Sequence, residues 1–211
     1  MTAAARFVTF EGIEGVGKST QLRLLAAALG ARGIDALLTR EPGGTPLGEK
    51  MRALLLEPGG GPLPPAAELL LIFAARAVHL QERIEPALRA GRWVLCDRFT
   101  DATYAYQGAG RRLPAEAIGM LEQWVQGLRR PHLTILLDMP VAAALERVRG
   151  RGGAADRFEG EQREFFERVR QAYLARAAAE PRRIVVIDAA RAADAVGRSV
   201  FGAIEAESWI S

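Results

Sequence analysis

Cysteine occurs once in the 211 residues, at Cys96. A lone thiol rules out an intrachain disulfide and suits a reducing compartment. It closes the apolar run Trp93-Val94-Leu95-Cys96, which marks it as a buried, inert sulfur. Histidine is almost as scarce. His79 and His132 stand far apart without metal-ligand spacing, so no zinc centre is expected. A strong charge of one sign is also missing: the net charge is +3, and arginines alternate with Asp and Glu as on solvated helix faces. Aromatic residues make up 7% of the chain and do not interleave with a basic stripe, so nucleic acid is not an expected partner. No apolar run approaches the ~20 residues that span a bilayer. Nothing before Phe7 resembles a signal segment, and the expectation is a cytoplasmic protein without a membrane partner. Internal repeats are absent as well.

The chain does hold enough apolar residues, 49% of the total, to build one core, and its length suits a single domain over residues 1–211. Short apolar runs stand at Phe7–Phe10, Ala36–Thr39, Trp93–Cys96, Leu133–Leu137 and Ile184–Ile187. None alternates cleanly, as expected of strands covered on both faces. Helical patterns lie between them. Pro114 suits a first turn ahead of Ile118, Leu121 and Val125, and Phe165, Phe166, Val169 and Tyr173 mark the apolar side of a helix from about 162 to 179. Strands alternating with helices predict an α/β fold, a five-stranded parallel sheet with helices on both faces. Ligands then bind at the carboxyl ends of the strands. The turn-rich run from Glu57 to Pro65 is too short to separate two domains.

After the first strand comes Gly12-Ile13-Glu14-Gly15-Val16-Gly17-Lys18-Ser19, followed by Thr20 and a helical pattern at Leu22, Leu25 and Leu29. This is G-x-x-x-x-G-K-[ST] in its required strand–loop–helix setting, which narrows the fold to a three-layer P-loop NTPase. Glycines let backbone N–H groups wrap a polyphosphate, and the new helix points its positive end at it. Residues 12–20 are thus the expected ATP-binding segment. Lys18 would reach the β- and γ-phosphates, and the Ser19 hydroxyl would ligate Mg²⁺.

Other chemistry follows the second and third strands: Thr39-Arg40-Glu41-Pro42-Gly43-Gly44-Thr45, then Asp97-Arg98-Phe99 and Thr103-Tyr104-Ala105-Tyr106-Gln107-Gly108. A helical segment, Glu68–Arg76, carries Phe73 and Arg76 between them. With the phosphate loop these pieces resemble the bacterial-type thymidylate kinase family, collinearly from about Phe7 to Asp188. The resemblance implies transfer of the γ-phosphoryl group of ATP to dTMP, with Mg²⁺, in a homodimer. Such an enzyme holds two polyanions end to end, and its catalysis is mainly positioning and charge stabilisation. The acceptor is already an ionised phosphate, so forked guanidinium donors are needed rather than a strong base.

The same resemblance assigns roles. Arg98 would touch the acceptor phosphate, with Asp97 beside it organising Mg²⁺ and its waters. In this family a catalytic arginine comes from the phosphate loop or from a lid. The loop here carries Glu14 and no arginine. The run through Arg147, Arg149 and Arg151 into a Gly-Gly-Ala-Ala tip reads as a mobile lid over about 147–160, with Arg151 the first candidate and Arg149 the second. Glu14 would accept from the deoxyribose 3′-hydroxyl. Arg76 would donate to thymine O4, with Thr103 and Gln107 around the ring edge and Tyr106 against the sugar. Arg40, Pro42 and Arg52 would line the acceptor pocket. The family stacks the base on a Phe four residues before its arginine. Ile72 stands there in this chain and Phe73 one position later, so either could cover the ring. Asp188-Ala189-Ala190-Arg191 occupies the place of the adenine loop. Two alternatives stay open: another nucleoside monophosphate or deoxynucleoside kinase, and a nucleotide-dependent switch. Against the switch, the chain has no Asn-Lys-x-Asp tetrapeptide for guanine.

Overall fold

A computed structural model describes residues 4–57, 63–150, 158 and 161–210. In chain order the elements are β1 (Phe7–Glu11), α1 (Lys18–Gly30), β2 (Ala36–Arg40), α2 (Pro46–Leu56), α3 (Pro65–His79), α4 (Glu85–Arg89), β3 (Trp93–Asp97), α5 (Thr100–Thr103), α6 (Ala115–Gln126), β4 (Leu133–Asp138), α7 (Val141–Arg149), α8 (Arg163–Ala179), β5 (Ile184–Asp188) and α9 (Ala193–Ala206). Two π-helical stretches interrupt them, Leu80–Ile84 between α3 and α4 and Tyr104–Gly110 after α5.

The five strands form one parallel sheet in the order β2-β3-β1-β4-β5. The three central strands are buried along nearly their whole length, as apolar runs without alternation predict. The edge strands differ, leaving Leu38 and Val186 open to solvent, because only one neighbour covers them. Each strand runs one residue beyond its apolar run, and those added residues are Glu11, Arg40, Asp97, Asp138 and Asp188. Parallel pairing brings all five polar ends to one edge of the sheet, with Arg40 level with Asp97 and Asp138 level with Asp188.

Successive residues of a strand face opposite ways. On β1, Phe10 enters the apolar cluster that includes Leu22 and Leu25 of α1, while Glu11 meets Tyr173 of α8. Helix α1 packs on α9, and α8 packs on β4 and β5, so helices cover both faces. The phosphate loop is built to fit this frame. A Cβ on Gly12 would strike the Leu137 carbonyl at the end of β4, and one on Gly15 the Ala144 carbonyl of α7. Gly17 meets nothing, but its φ of 94° is one that only glycine adopts readily.

Candidate active site

The carboxyl edge of the sheet opens into a cleft of about 750 Å³, a size typical of small-molecule sites. Its wall includes residues Glu14–Thr20, Arg40, Pro42, Arg52, Ile72, Arg76, Asp97, Arg98, Thr103, Tyr106 and Gln107. Gly12 and Ile13 stand just behind it and hold the Lys18 ammonium, which donates to their carbonyls at 2.9 and 2.8 Å. Burial, then the neighbouring Arg98 guanidinium, push Lys18 down to about 8. Ser19 donates to Asp97 Oδ2 at 3.2 Å, so the two expected Mg²⁺ residues converge from α1 and β3. Hard oxygens fit that ion, which keeps several waters and leans on substrate phosphates rather than on a protein cage. No cluster of three or more acidic, His or Cys ligands exists among the described residues.

Arg98 is the hub. Its Nη1 donates to the Gly12 carbonyl at 2.9 Å, the same oxygen that Lys18 uses. Its Nη2 donates to Glu14 at 2.8 Å and to the Tyr106 hydroxyl at 3.1 Å, and the guanidinium lies over the Tyr106 ring. Burial opposes its charge, but Tyr106, Glu14 and Tyr173 outweigh burial and hold its pKa above the ordinary value. The backbone here has φ 71°, unusual for a residue other than glycine. Three bonds pin it: Arg98 N–H to the Phe10 carbonyl, Phe99 N–H to the Glu11 carboxylate, and the Cys96 thiol to the Arg98 carbonyl. Glu14, a carboxylate inside a loop that cradles anions, is matched by Arg98 and by a 2.7 Å bond from the Tyr106 hydroxyl.

At the base end, Arg76 is 1% exposed and makes three bonds: Nε to Glu41 at 2.7 Å, Nη1 to Gln126 at 3.3 Å and Nη2 to Thr103 at 2.9 Å. The other oxygen of Glu41 pairs with His79 Nδ1 at 2.9 Å, and His79 Nε2 with Thr39 at 2.6 Å. Burial alone would raise the Glu41 pKa, but Arg76 and the hydrogen bond from His79 bring it below the usual carboxylate range. Arg40 pairs with Glu49, and Arg52 donates to the Pro42 carbonyl, so both arginines are held along the wall.

Two of the expected residues do not line the cleft. Phe73 does not reach the cleft. It packs with Leu69 of its own helix and Ile118 of α6, its ring beneath the Arg76 guanidinium at 4.8 Å, while Ile72 takes the wall position. One step along a helix turns a side chain by about 100°, and α3 runs unbroken through both residues. Arg149, in the last turn of α7, is not on the wall either. Arg147 is, donating to the Ala189 and Ala190 carbonyls of the loop after β5. Arg151 and most of the lid tip, residues 151–157 and 159–160, lie outside the described residues.

Sequence reasoning missed Glu11, Glu41, Glu68, His79 and Tyr173. Glu11 and Glu41 are acids placed at or just after the end of a strand, beside the site, and that placement was a usable signal. His79 and Tyr173 carried none, being set on helices remote in sequence.

A parallel sheet with a phosphate loop at its switch edge, and arginines just after β3 and on α3 lining the same cleft, defines a P-loop nucleoside monophosphate kinase. The thymidylate kinase family model matches residues 10–200. The thymidylate kinase of Alkalilimnicola ehrlichii is 58% identical over 90% of this chain and 88% of its own length. That of Pseudomonas putida strain W619 is 57% identical over 92% and 93%. The crystal structure of thymidylate kinase from Ehrlichia chaffeensis superposes with a TM-score of 0.78 at 34% identity, covering 96% of this chain and 99% of that one. The chain belongs to the thymidylate kinase family.

Proposed function

We infer that the protein transfers the γ-phosphoryl group of ATP to the phosphate of dTMP, giving dTDP and ADP. The observation that carries this is the meeting of Lys18 and Arg98 on one carbonyl, that of Gly12. A cation from the phosphate loop and a cation just after β3 thus flank one point, where the phosphates of two nucleotides must meet against their mutual repulsion. A bond from the acceptor phosphate oxygen to the γ-phosphorus forms as the β–γ bridge breaks, and the charge that develops is met by donors already in position. Mg²⁺, held by Ser19 and Asp97, would neutralise and orient the β- and γ-phosphates. Phosphate loop residues 12–20 take the ATP phosphates, and the loop after β5, with Ala189, Arg191 and Ala193 on the cleft wall, supports the adenine. Gln21 ties that loop to α1 through a 2.9 Å bond to the Ala193 carbonyl. Arg151 is the lid residue offered to the transferring group, in a lid over about 147–160 of this single domain.

On the acceptor side, Arg40, Pro42 and Arg52 line the phosphate end, and Glu14 with Tyr106 lies where the deoxyribose 3′-hydroxyl and the sugar face belong. Arg76 donates to thymine O4, with Thr103 and Gln107 at the ring edge and Ile72 as an aliphatic floor. The reaction is assigned to the cytoplasm, in keeping with a single buried reduced thiol. No described helix is long and apolar enough to cross a membrane. The working unit is a homodimer. Supporting it, Met120 and Trp124 share one face of α6 and are 69% and 83% exposed, with Leu128 just beyond the helix end at 94%. Monomers seldom leave such apolar faces open.

A coupled ADP-release assay with dTMP, dUMP, dCMP and dGMP tests the assignment. Rapid release is expected with dTMP and very little with dCMP or without an acceptor. Release independent of the acceptor would mean a hydrolytic switch, and equal rates on all four would remove thymine recognition.

A further inference from the structure

Arg76 and Gln107 differ in one chemical respect that matters for telling thymine from cytosine. A guanidinium only donates, so Arg76 suits the O4 acceptor of thymine and opposes the amino group of cytosine at every orientation. A glutamine amide is ambivalent. With its oxygen toward the base it accepts from thymine N3–H, and rotated by half a turn it donates to the bare N3 of cytosine. Left free, Gln107 would serve either base.

It is not free. Gln107 is 2% exposed, and its amide nitrogen donates to Glu68 Oε1 at 2.7 Å. A carboxylate accepts only, so this contact admits one orientation of the amide. The Gln107 oxygen takes no partner among the described residues, and Gln107 lies on the cleft wall while Glu68 does not. Glu68 is itself fully buried on α3 and further held by Arg111, which contacts both of its oxygens at 3.2 to 3.3 Å. We propose that Glu68 is a specificity-determining residue: from behind the base site it locks the Gln107 amide with its oxygen forward, closing the orientation that would accept cytosine. The donor of Arg76 and the acceptor of Gln107 then spell the edge of thymine, O4 and N3–H, in one fixed polarity. Each is set by a buried acid, Glu41 behind the arginine and Glu68 behind the glutamine.

This inference rests on the assignment of Arg76 and Gln107 to the thymine edge, so both are tested together. Dissociation constants and kcat/KM for dTMP and dCMP are measured on the full chain and on Glu68→Gln, Glu68→Asp, Gln107→Ala and Arg76→Ala. Glu68→Gln offers the amide either a donor or an acceptor. Arg111 keeps its ion pair with Glu161 in this variant. The dTMP-over-dCMP preference should fall about tenfold in Glu68→Gln, chiefly because dCMP binds better. Glu68→Asp, still acceptor-only, should retain most of the preference, and the KM for ATP should not move in either. A merely structural role would weaken both nucleotides alike and leave the ratio unchanged, and that outcome overturns the proposal. Should Glu68→Gln fail to fold, the double variant with Arg111→Gln gives the same readout with the neighbouring charge also removed. If Arg76→Ala and Gln107→Ala leave the ratio intact, the base assignment itself fails. If they lower it and Glu68→Gln does not, only the role of Glu68 is lost.

Discussion

Glu11 shows how much a single buried carboxylate can organise. It closes β1, accepts from the Phe99 N–H and the Tyr173 hydroxyl at 2.7 Å each, and so holds the turn that gives Arg98 its left-handed backbone. Burial first, then the Asp101 carboxylate, push its pKa up to about 8 against the opposing pull of Arg98, Tyr173 and the Phe99 amide. In the unfolded chain the same group titrates at the ordinary 4.5. Between those values the folded state keeps a proton that the unfolded state has lost, so this group makes stability fall as pH rises across that window and contributes no further change above it. Glu11→Gln keeps an oxygen for the Phe99 N–H and removes the titration. Its melting temperature relative to the parent should therefore climb from pH 5 to pH 8 and then level off. A difference between the two proteins that is flat with pH would mean that Glu11 does not hold its proton in the fold.

Among the elements, the π-helical stretch Tyr104–Gly110 was not foreseen. A π turn is rare, favours functional sites and leaves no periodic signature over so few residues. It carries Tyr106 and Gln107 to the cleft wall, the first beneath Arg98 and the second against Glu68. Helix α3 was legible as a helical segment over Glu68–Arg76, but which of its faces looks into the cleft was not. The structure puts Ile72 on the cleft and Phe73 in the α3–α6 core, where it is 2% exposed. Truncating each should separate binding from folding. Ile72→Ala is expected to raise the KM for dTMP several-fold with a modest loss of stability. Phe73→Ala should cost about 3–5 kcal/mol of stability, the usual range for a buried Phe, with a smaller effect on dTMP affinity once the protein is folded. Reversed outcomes, seen by thermal denaturation and steady-state kinetics, would return the ring-covering role to Phe73.

At the scale of the whole molecule, the exposed face of α6 is where a second copy would sit in the proposed homodimer. Trp124→Glu places a charge in the middle of that face, and light scattering is expected to report a dimer for the parent and a monomer for the variant. A parent that is monomeric at micromolar concentration would remove the homodimer. Much of the architecture was determined by local sequence alone. Five apolar runs without alternation specify buried parallel strands, and Gly12 to Ser19 specifies the phosphate loop, because strand burial and close glycine turns are enforced over a few adjacent residues. Arg98, Asp97 and Arg76 stood out as candidates for the same reason, each tied to a short motif near a strand end or a helix, and all three line the cleft. Tertiary structure alone decided the second layer of the site. Glu11 with Tyr173, Glu41 with His79 and Glu68 with Gln107 are pairs 162, 38 and 39 residues apart. Each brings a buried polar group to the partner that offsets its lost hydration. Such a partner is selected by three-dimensional proximity in a low-dielectric interior, which no local pattern of residues encodes.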